Sequence, residues 1–432
     1  MNRHAKGIYS LMPLIAFLFI YLGGSILIGD FYKIPITVAF LIAAIASVAI
    51  SKGKIQDRIY KFSQGASDKN ILLMIWIFIM AGAFAQSARA IGSVDATVAL
   101  TLHVLPQSLL WTGLFLAACF ISLSIGTSVG TIVALVPIAA GLAAHTNTSV
   151  GFVAAIVVGG AFFGDNLSFI SDTTIAATQL LGCKMSDKFR ANIRIVLPAA
   201  IVASVIYTIV GTSGTVAEPS ADIDALKVLP YLAVIILSLT GLNVMVVLLV
   251  GTILSAVVGL ATHSVDVWQF IEAMGSGIGG MSELIIVTLL AGGMLQMIRI
   301  GGGISYIISI FNYKLTGVRS AEFVIAALVS LCNVCTANNT IAIITAAPIA
   351  KEVSDKFNLD NKRVASLLDT FSCFVQGIIP YGAQMLMASS LAAVSPIEII
   401  SKLYYPYLVG LFGVLSILVY PIFFRKSHDI YR

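Results

Sequence analysis

The stretch GDNLSFISDTT, residues 164–174, places two aspartates among amides and hydroxyls inside an otherwise apolar region. VGFVAAIVVGGAFF comes before it and IAATQLLG after it, and no Lys or Arg occurs between Arg89 and Lys184. The two carboxylates therefore have no basic partner nearby in sequence. Their surroundings must accept or neutralise them, because a buried, unpaired charge is strongly unfavourable.

The composition is typical of a membrane protein. Of the 432 residues, 59% are hydrophobic and only 10% are charged, whereas soluble proteins carry roughly 25% charged residues. We therefore predict a polytopic, all-α protein of the lipid bilayer. Its net charge of +5 is expected to reflect uneven loop charges across the bilayer and not nucleic-acid binding.

Four apolar segments are longer than the roughly 20 residues that one crossing needs, namely 108–143, 150–182, 322–350 and 364–394. Each has polar or glycine-rich sequence near its middle, which is typical of a re-entrant hairpin or a discontinuous helix. The basic loops, such as 52–69 and 183–194, fall on one face only if 108–143 and 322–350 are hairpins. The segments 150–182 and 364–394 then cross once, as broken helices, and both termini are cytoplasmic.

The order of these segments repeats along the chain. AGAFAQSARAIG (81–92) resembles AGGMLQMIRIGG (291–302), and SIGTSVGTIVALVPIA (124–139) resembles NVCTANNTIAIITAAPIA (333–350). A third match pairs Asp165 with Asp369.

We therefore predict two inverted repeats of about six elements each, residues 1–212 and 213–432. Each repeat has three spans, a hairpin, a broken helix and a last span. That architecture places the functional site at mid-membrane, where the broken elements meet.

An ionised carboxylate at bilayer depth persists only if it is paired, protonated or bound to a cation. Without a local basic residue, Asp165 and Asp172 are expected to be protonated or to hold Na⁺, which favours oxygen ligands. The predicted ion-binding residues are Asp165, Asn166, Ser168, Ser171, Asp172, Thr173, Thr174, Asp369 and Thr370. A simpler role for Asp165 is capping of a half-helix, which is compatible with ion binding.

The hairpin tips carry a second polar set. Residues expected to contact an ion or a substrate there are Thr127, Ser128, Thr131, Thr336, Asn338, Asn339 and Thr340. The simpler alternative is that these side chains only satisfy backbone groups freed at the turns. Two adjacent asparagines are unusual in an apolar hairpin, which favours contact with an ion or a substrate.

The polar stretch also carries a family resemblance. GGAFFGDNLSFISDTTIAATQLLG, residues 159–182, resembles the signature G-[AS]-x-x-G-D-x-x-S-x-x-S-D-T-T of the NhaC-type sodium/proton antiporter family, within the ion-transporter superfamily. SLLDTF and QGIIPYG in the second half are similar as well. Two departures are Asn166, where the family usually has Lys, and Phe169, where it usually has Pro. The resemblance implies paired hairpins and an elevator mechanism, and analogy with other elevator carriers suggests a homodimer.

The sequence therefore predicts a secondary transporter of the bacterial cytoplasmic membrane that exchanges Na⁺ for H⁺, with no cofactor beyond the transported ions. Coupled transport or exchange of a small carboxylate or amino acid, driven by Na⁺ or H⁺, stays open as the alternative. No pore-lining charge ring favours a channel, and no G-x-x-x-x-G-K-[ST] motif favours an ATP-driven pump. An enzyme is not expected, because no His lies at bilayer depth near Ser168 or Ser171.

Overall fold

The protein is described here from a computed structural model, which covers residues 3–28, 34–104, 109–168, 171–211, 224–240, 242–303, 306 and 317–423. None of these residues belongs to a β-strand. Within them, eight helical stretches are long and apolar enough to cross a membrane. The expected all-α membrane architecture is confirmed.

The first half of the chain folds into eleven helices among the described residues. They are α1 (Arg3–Leu18), which continues through a π-helical turn (Phe19–Gly23) into α2 (Gly24–Ile28), then α3 (Ile36–Ile50), α4 (Ile55–Ala66), α5 (Lys69–Ala90), α6 (Ser93–Val104), α7 (Leu110–Ile125), α8 (Ser128–Thr146), α9 (Val150–Leu167), α10 (Asp172–Leu181) and α11 (Met185–Gly211).

The described part of the second half contains ten helices. They are α12 (Ala225–Leu239), α13 (Val244–Ala261), α14 (Val267–Gly280), α15 (Ser282–Ile300), α16 (Val318–Thr336), α17 (Asn339–Phe357), α18 (Asn361–Ile378), α19 (Ala383–Ala392), α20 (Pro396–Ile400) and α21 (Tyr404–Phe423).

Three of these helices lie where the sequence predicted loops. They are α4, α6 and α14. The sequence segments were chosen as long, uniformly apolar runs, and none of these three helices has one, so the loop prediction was wrong. A short helix needs only one packed face for stability. Helix α4 packs against α15, and α14 packs against α5.

Both predicted hairpin segments form paired helices. A turn joins α7 to α8 at Gly126, which has a left-handed backbone (φ 73°), and Thr127 is the N-cap of α8. The second turn joins α16 to α17 at Ala337 (φ 49°), with Asn338 as the N-cap. The turns thus lie where the sequence placed the tips. That the hairpins enter from opposite membrane faces stays a prediction.

Both predicted broken helices are interrupted. Helix α9 ends at Leu167 before α10 begins at Asp172, and α18 ends at Ile378 before α19 begins at Ala383. After each break the short helix packs on the hairpin of the other half, α10 on α17 and α19 on α8. The breaks and the hairpin tips are thereby brought together. A close approach supports this: a Cβ atom at Gly164 would overlap Ser122 of α7.

Helix caps recur in the two halves at one constant separation along the chain. The left-handed C-caps pair Gly126 with Ala337, Asn147 with Asn358, and Gly182 with Ala393. In this register Gln376, and not Asp369, corresponds to Asp165. The sequence pairing of Asp165 with Asp369 was therefore wrong, since short matches in apolar sequence are unspecific. The division into inverted repeats 1–212 and 213–432 stays a prediction.

Candidate functional site

Asp165 lies near the end of α9, beside the break, and only 4% of it is exposed. Its Oδ1 accepts a hydrogen bond from the Ser128 backbone N–H at 3.0 Å, and its Oδ2 accepts one from the Ser128 hydroxyl at 2.6 Å. Ser128 is the first residue of α8. The tip of the first hairpin therefore holds the carboxylate through a side chain and a helix N-terminus, which favours negative charge.

Hydroxyls around the break satisfy backbone groups that the interrupted helix leaves without a partner. Ser171 and Thr173 both donate to the Asp165 carbonyl oxygen, at 3.1 Å and 2.9 Å. The Ser168 hydroxyl donates to the carbonyl of Leu123 at 2.9 Å. The hydroxyls of Ser168, Ser171 and Thr173 thus gather at the break and each donates to a backbone carbonyl, and those of Ser171 and Thr173 also lie 2.6 Å apart. Phe169 lies outside the described residues.

The second hairpin reaches the same carboxylate. The amide nitrogen of Asn339, at the start of α17, lies 3.5 Å from Asp165 Oδ2. Gln384 of α19 donates to the Ser128 hydroxyl at 3.1 Å and accepts from the Gln376 amide at 2.8 Å. Gln376 and Gln384 were not predicted. One polar cluster therefore joins both hairpin tips and both breaks.

A buried lysine lies on the other side of the break. The Lys188 ammonium is 2.7 Å from Asp369 Oδ2 and donates to the Asn166 carbonyl at 2.7 Å and to the Thr174 hydroxyl at 2.6 Å. Three oxygens thus satisfy its three N–H groups. The Asn192 amide donates to the same two oxygens of Asn166 and Asp369, at 2.9 Å and 2.7 Å. Sequence reasoning missed both Lys188 and Asn192.

The charges of this cluster do not cancel when Asp165 is ionised. Lys188 and Asp369 form a neutral pair, with 1% and 0% of their side chains exposed. Among the described residues, Asp165 has no salt-bridge partner within 4.0 Å. The cluster therefore carries one net negative charge, which a single proton or monovalent cation can neutralise.

Several buried amide oxygens in the cluster have no hydrogen-bond partner among the described atoms. They belong to Asn166, Asn192, Asn333 and Gln376. Each amide nitrogen donates to a carbonyl or carboxylate oxygen; that of Asn333, for example, is 2.6 Å from the Ser372 carbonyl. Since those partners only accept, the amide orientations are fixed and the oxygens point elsewhere. Oxygens of this kind suit a hard cation.

Asp172 differs from the expectation. It is the first residue of α10 and is exposed, so it does not share the buried environment of Asp165. The premise that both carboxylates are buried was therefore wrong for Asp172. Its position in the first turn of a helix offers a simpler stabilisation, because carboxylates are favourable there.

The remaining predicted residues of the hairpin tips make mostly local contacts. The Thr131 hydroxyl donates to the Thr127 carbonyl at 3.3 Å, and the Thr336 hydroxyl donates to the Asn338 carbonyl at 3.1 Å. Asn338 accepts from the Ile341 N–H at 3.0 Å and so caps α17. These contacts match the simpler alternative for the tips.

Thr340 and Thr370, the last two predicted site residues, form no hydrogen bond with Asp165 in the described part of the chain. Thr340 is half-buried on α17. Thr370 is buried on α18, and its hydroxyl has no partner among the described atoms.

Comparison with known proteins assigns the family. The model of the Na⁺/H⁺ antiporter family matches residues 6–212 and 220–423. The chain therefore belongs to the Na⁺/H⁺ antiporter family. It is accordingly an integral membrane protein of a transporter family, which is not a class of enzyme.

Two relatives from Bacillus subtilis (strain 168) illustrate the range of the similarity. The malate-2H⁺/Na⁺-lactate antiporter is 22% identical over 428 residues, which is 89% of this chain and 90% of that protein. The Na⁺/H⁺ antiporter NhaC is 24% identical over 385 residues, 80% of this chain and 83% of that protein. The crystal structure of the Alcanivorax borkumensis YdaH transporter aligns with 95% of this chain and with 99% of the YdaH chain. The sequence identity is 14% and the TM-score is 0.44.

Proposed function

We propose that the protein exchanges Na⁺ for H⁺ at the carboxylate of Asp165. The observation that carries this proposal is the charge balance of the buried cluster. Asp165 is its one carboxylate without a salt bridge among the described residues, whereas Asp369 is paired with Lys188. A site with one uncompensated negative charge suits a single proton or a single Na⁺, and both together would overfill it.

In this mechanism the two ions compete for the same oxygens. A proton binds directly to the Asp165 carboxylate. Na⁺ is held by that carboxylate together with neutral oxygens of the cluster, for which the unpartnered amides of Asn166 and Gln376 are suitable. Ser128 positions the carboxylate through its two hydrogen bonds. We assign Asp369 to holding Lys188 and not to binding the ion.

Coupling follows from the cost of an empty site. With Na⁺ or H⁺ bound, the cluster is neutral and can change its exposure from one face of the membrane to the other. Without either ion, it contains a bare carboxylate in a low-dielectric environment, which is strongly unfavourable. An empty return is thereby suppressed. The predicted inverted repeats provide two arrangements of the protein, one with the site open to each face of the membrane. In the proposed elevator step, the hairpins and the broken helices move together between these arrangements.

The proposed location is the cytoplasmic membrane of a bacterium, with both termini in the cytoplasm and a homodimer as the assembly. The proposal is tested in proteoliposomes that contain a pH-sensitive dye. Addition of external NaCl should move protons out of the vesicle lumen at once, with no other solute present. Proton flux that appears only after a small carboxylate or amino acid is supplied would contradict a plain Na⁺/H⁺ exchanger.

A second candidate function, Na⁺- or H⁺-coupled transport of a small organic anion, is favoured by one separate observation. A cavity lined by Arg299, which forms no salt bridge among the described residues, adjoins the tip of the second hairpin. The relative that carries malate and lactate agrees with this alternative. The two functions differ in whether proton movement needs the organic anion.

A further inference from the structure

A cavity of about 260 Å³ lies between α4, α15, the tip of the second hairpin and the start of α19. Its wall includes Asn338 of the tip, and the next residue, Asn339, is the one whose amide nitrogen lies 3.5 Å from Asp165. The cavity therefore adjoins the ion site without being part of it. The exchange mechanism proposed above makes no use of its lining residues on α15.

Arg299, near the end of α15, lines this cavity and is exposed. In the described part of the chain, no carboxylate forms a salt bridge with it, and Asp68 is the other charged residue of the cavity wall. An arginine is always charged and carries five N–H donors. A guanidinium without an ion-pair partner among the described residues attracts an anion and repels Na⁺.

Two further features of the wall suit an anion. Thr288 is only 7% exposed, and its hydroxyl has no hydrogen-bond partner in the described part of the chain, although the residue lines the cavity. Helix α19 starts in the wall at Ala383, and none of the described side chains caps its N-terminus at Gly382. Uncapped N–H groups at a helix start attract negative charge.

We infer that this cavity binds a small carboxylate, with Arg299 as its anchor. The guanidinium can hold a carboxylate through two parallel hydrogen bonds. Thr288 and Gln296 lie about two turns apart on α15 and both line the cavity. They offer further hydrogen bonds to a hydroxyl or a second carboxylate of the ligand. The cavity is smaller than the roughly 300–1,000 Å³ of drug-sized sites, so the ligand has few atoms.

This inference deepens the proposed function and rests on it for the link to Na⁺. The anion binds against the hairpin tip that contacts Asp165, so its occupancy can bias the same element that closes over the cation. Binding itself requires only the cavity. A direct binding measurement therefore separates the anion site from the exchange reaction.

The test is isothermal titration of the purified, full-length protein with acetate, L-lactate and L-malate at constant Na⁺ and ionic strength. These probes share a carboxylate and differ in hydroxyl and second carboxylate. At least one should bind the wild type. Arg299→Gln should weaken binding about tenfold to a hundredfold, because a hydrogen bond to a charged group is worth about 1.5–3 kcal/mol. Arg299→Lys retains the positive charge but loses the paired N–H donors of the guanidinium. Its affinity for the carboxylate should lie between those of the wild type and Arg299→Gln.

Arg89→Gln is the matched control. Arg89 matches Arg299 in the internal sequence repeat, is likewise exposed, and does not line the cavity. Its substitution should leave carboxylate binding as in the wild type. Absence of binding by all three probes, or equal binding by the wild type and Arg299→Gln, would overturn the inference. Na⁺-driven proton flux is read separately, so its absence alongside intact carboxylate binding counts against the exchange proposal alone.

Discussion

The ammonium of Lys188 lies 2.7 Å from Oδ2 of Asp369, and both side chains are almost completely buried. Lys188 belongs to α11 and Asp369 to α18, and the same ammonium donates to the Asn166 carbonyl at the end of α9. The ion pair therefore joins the break in α9 to two other helices. Because this ion pair is neutral, the net charge of the cluster is the single negative charge of ionised Asp165.

Replacement of Lys188 by Met should destabilise the protein strongly. Removal of one member of a buried pair leaves an unpaired charge and costs about 3–5 kcal/mol. Thermal unfolding in detergent should show a large fall in Tm. The double variant Lys188→Met with Asp369→Asn should recover much of that loss, because no isolated charge remains. Equal Tm values for the single and the double variant would show that the two side chains are not energetically coupled.

The sequence could not reveal this pair. The prediction treated 183–194 as a basic loop, but α11 begins at Met185, and Lys188 and Asn192 lie one turn apart on it. The buried face continues through Val196 and Ala199, so helical spacing was an available signal. A hydropathy profile does not reveal this buried face, because a lysine at the edge of a charged segment is normally assigned to the solvent-exposed surface. The partner, Asp369, is distant in sequence and becomes visible only through tertiary packing.

Other parts of the site followed from local physics. Excess length and central polar residues predicted the hairpins and the breaks, and the lack of nearby basic residues predicted a buried Asp165 without an ion pair. Asp172 looked the same in sequence, but it begins a new helix and is exposed. The side of a helix on which a residue lies after an interruption depends on the geometry of the break. Residue spacing alone does not determine it.

Ser128→Ala should weaken Na⁺ binding by about tenfold or more. The change removes the hydroxyl that donates to Asp165 Oδ2 at 2.6 Å and retains the backbone N–H contact. A hydrogen bond to a charged group contributes about 1.5–3 kcal/mol. Half-maximal Na⁺ concentrations for proton efflux provide the measurement. Ser330→Ala is the control, because the Ser330 hydroxyl bonds, among the described residues, only to the Ala326 carbonyl of its own helix. Similar effects of both variants would argue against a specific role of Ser128.

Asn338→Ala should lower stability through loss of a helix cap. The Asn338 side chain accepts from the Ile341 N–H at 3.0 Å at the start of α17. Loss of such a cap costs about 1 kcal/mol. Asn338→Ser, which can also cap, should retain most of the stability in a thermal unfolding assay. If the serine and alanine variants unfold at the same temperature, capping is not the main role of Asn338.

Apparent Na⁺ affinity should depend on pH in one direction. A lower pH supplies protons that occupy Asp165, so more Na⁺ is needed for half-maximal binding, and a higher pH relieves the competition. Where competition is complete, each pH unit should change that concentration about tenfold. Titration of Na⁺ at several pH values gives the slope. A half-maximal concentration that does not change with pH would mean that the two ions occupy separate sites.

The most direct test of a shared Na⁺ and H⁺ site at Asp165 is Na⁺/H⁺ exchange by Asp165→Asn in proteoliposomes, with Asp172→Asn measured beside it. Asparagine preserves the shape of the buried side chain and removes its negative charge, so neither ion is needed for neutrality. Asp165→Asn should insert and fold but show no Na⁺-driven proton flux, whereas Asp172→Asn, altered at an exposed position, should retain substantial flux. Full exchange by Asp165→Asn would contradict the assignment of Asp165 as the shared binding site for Na⁺ and H⁺.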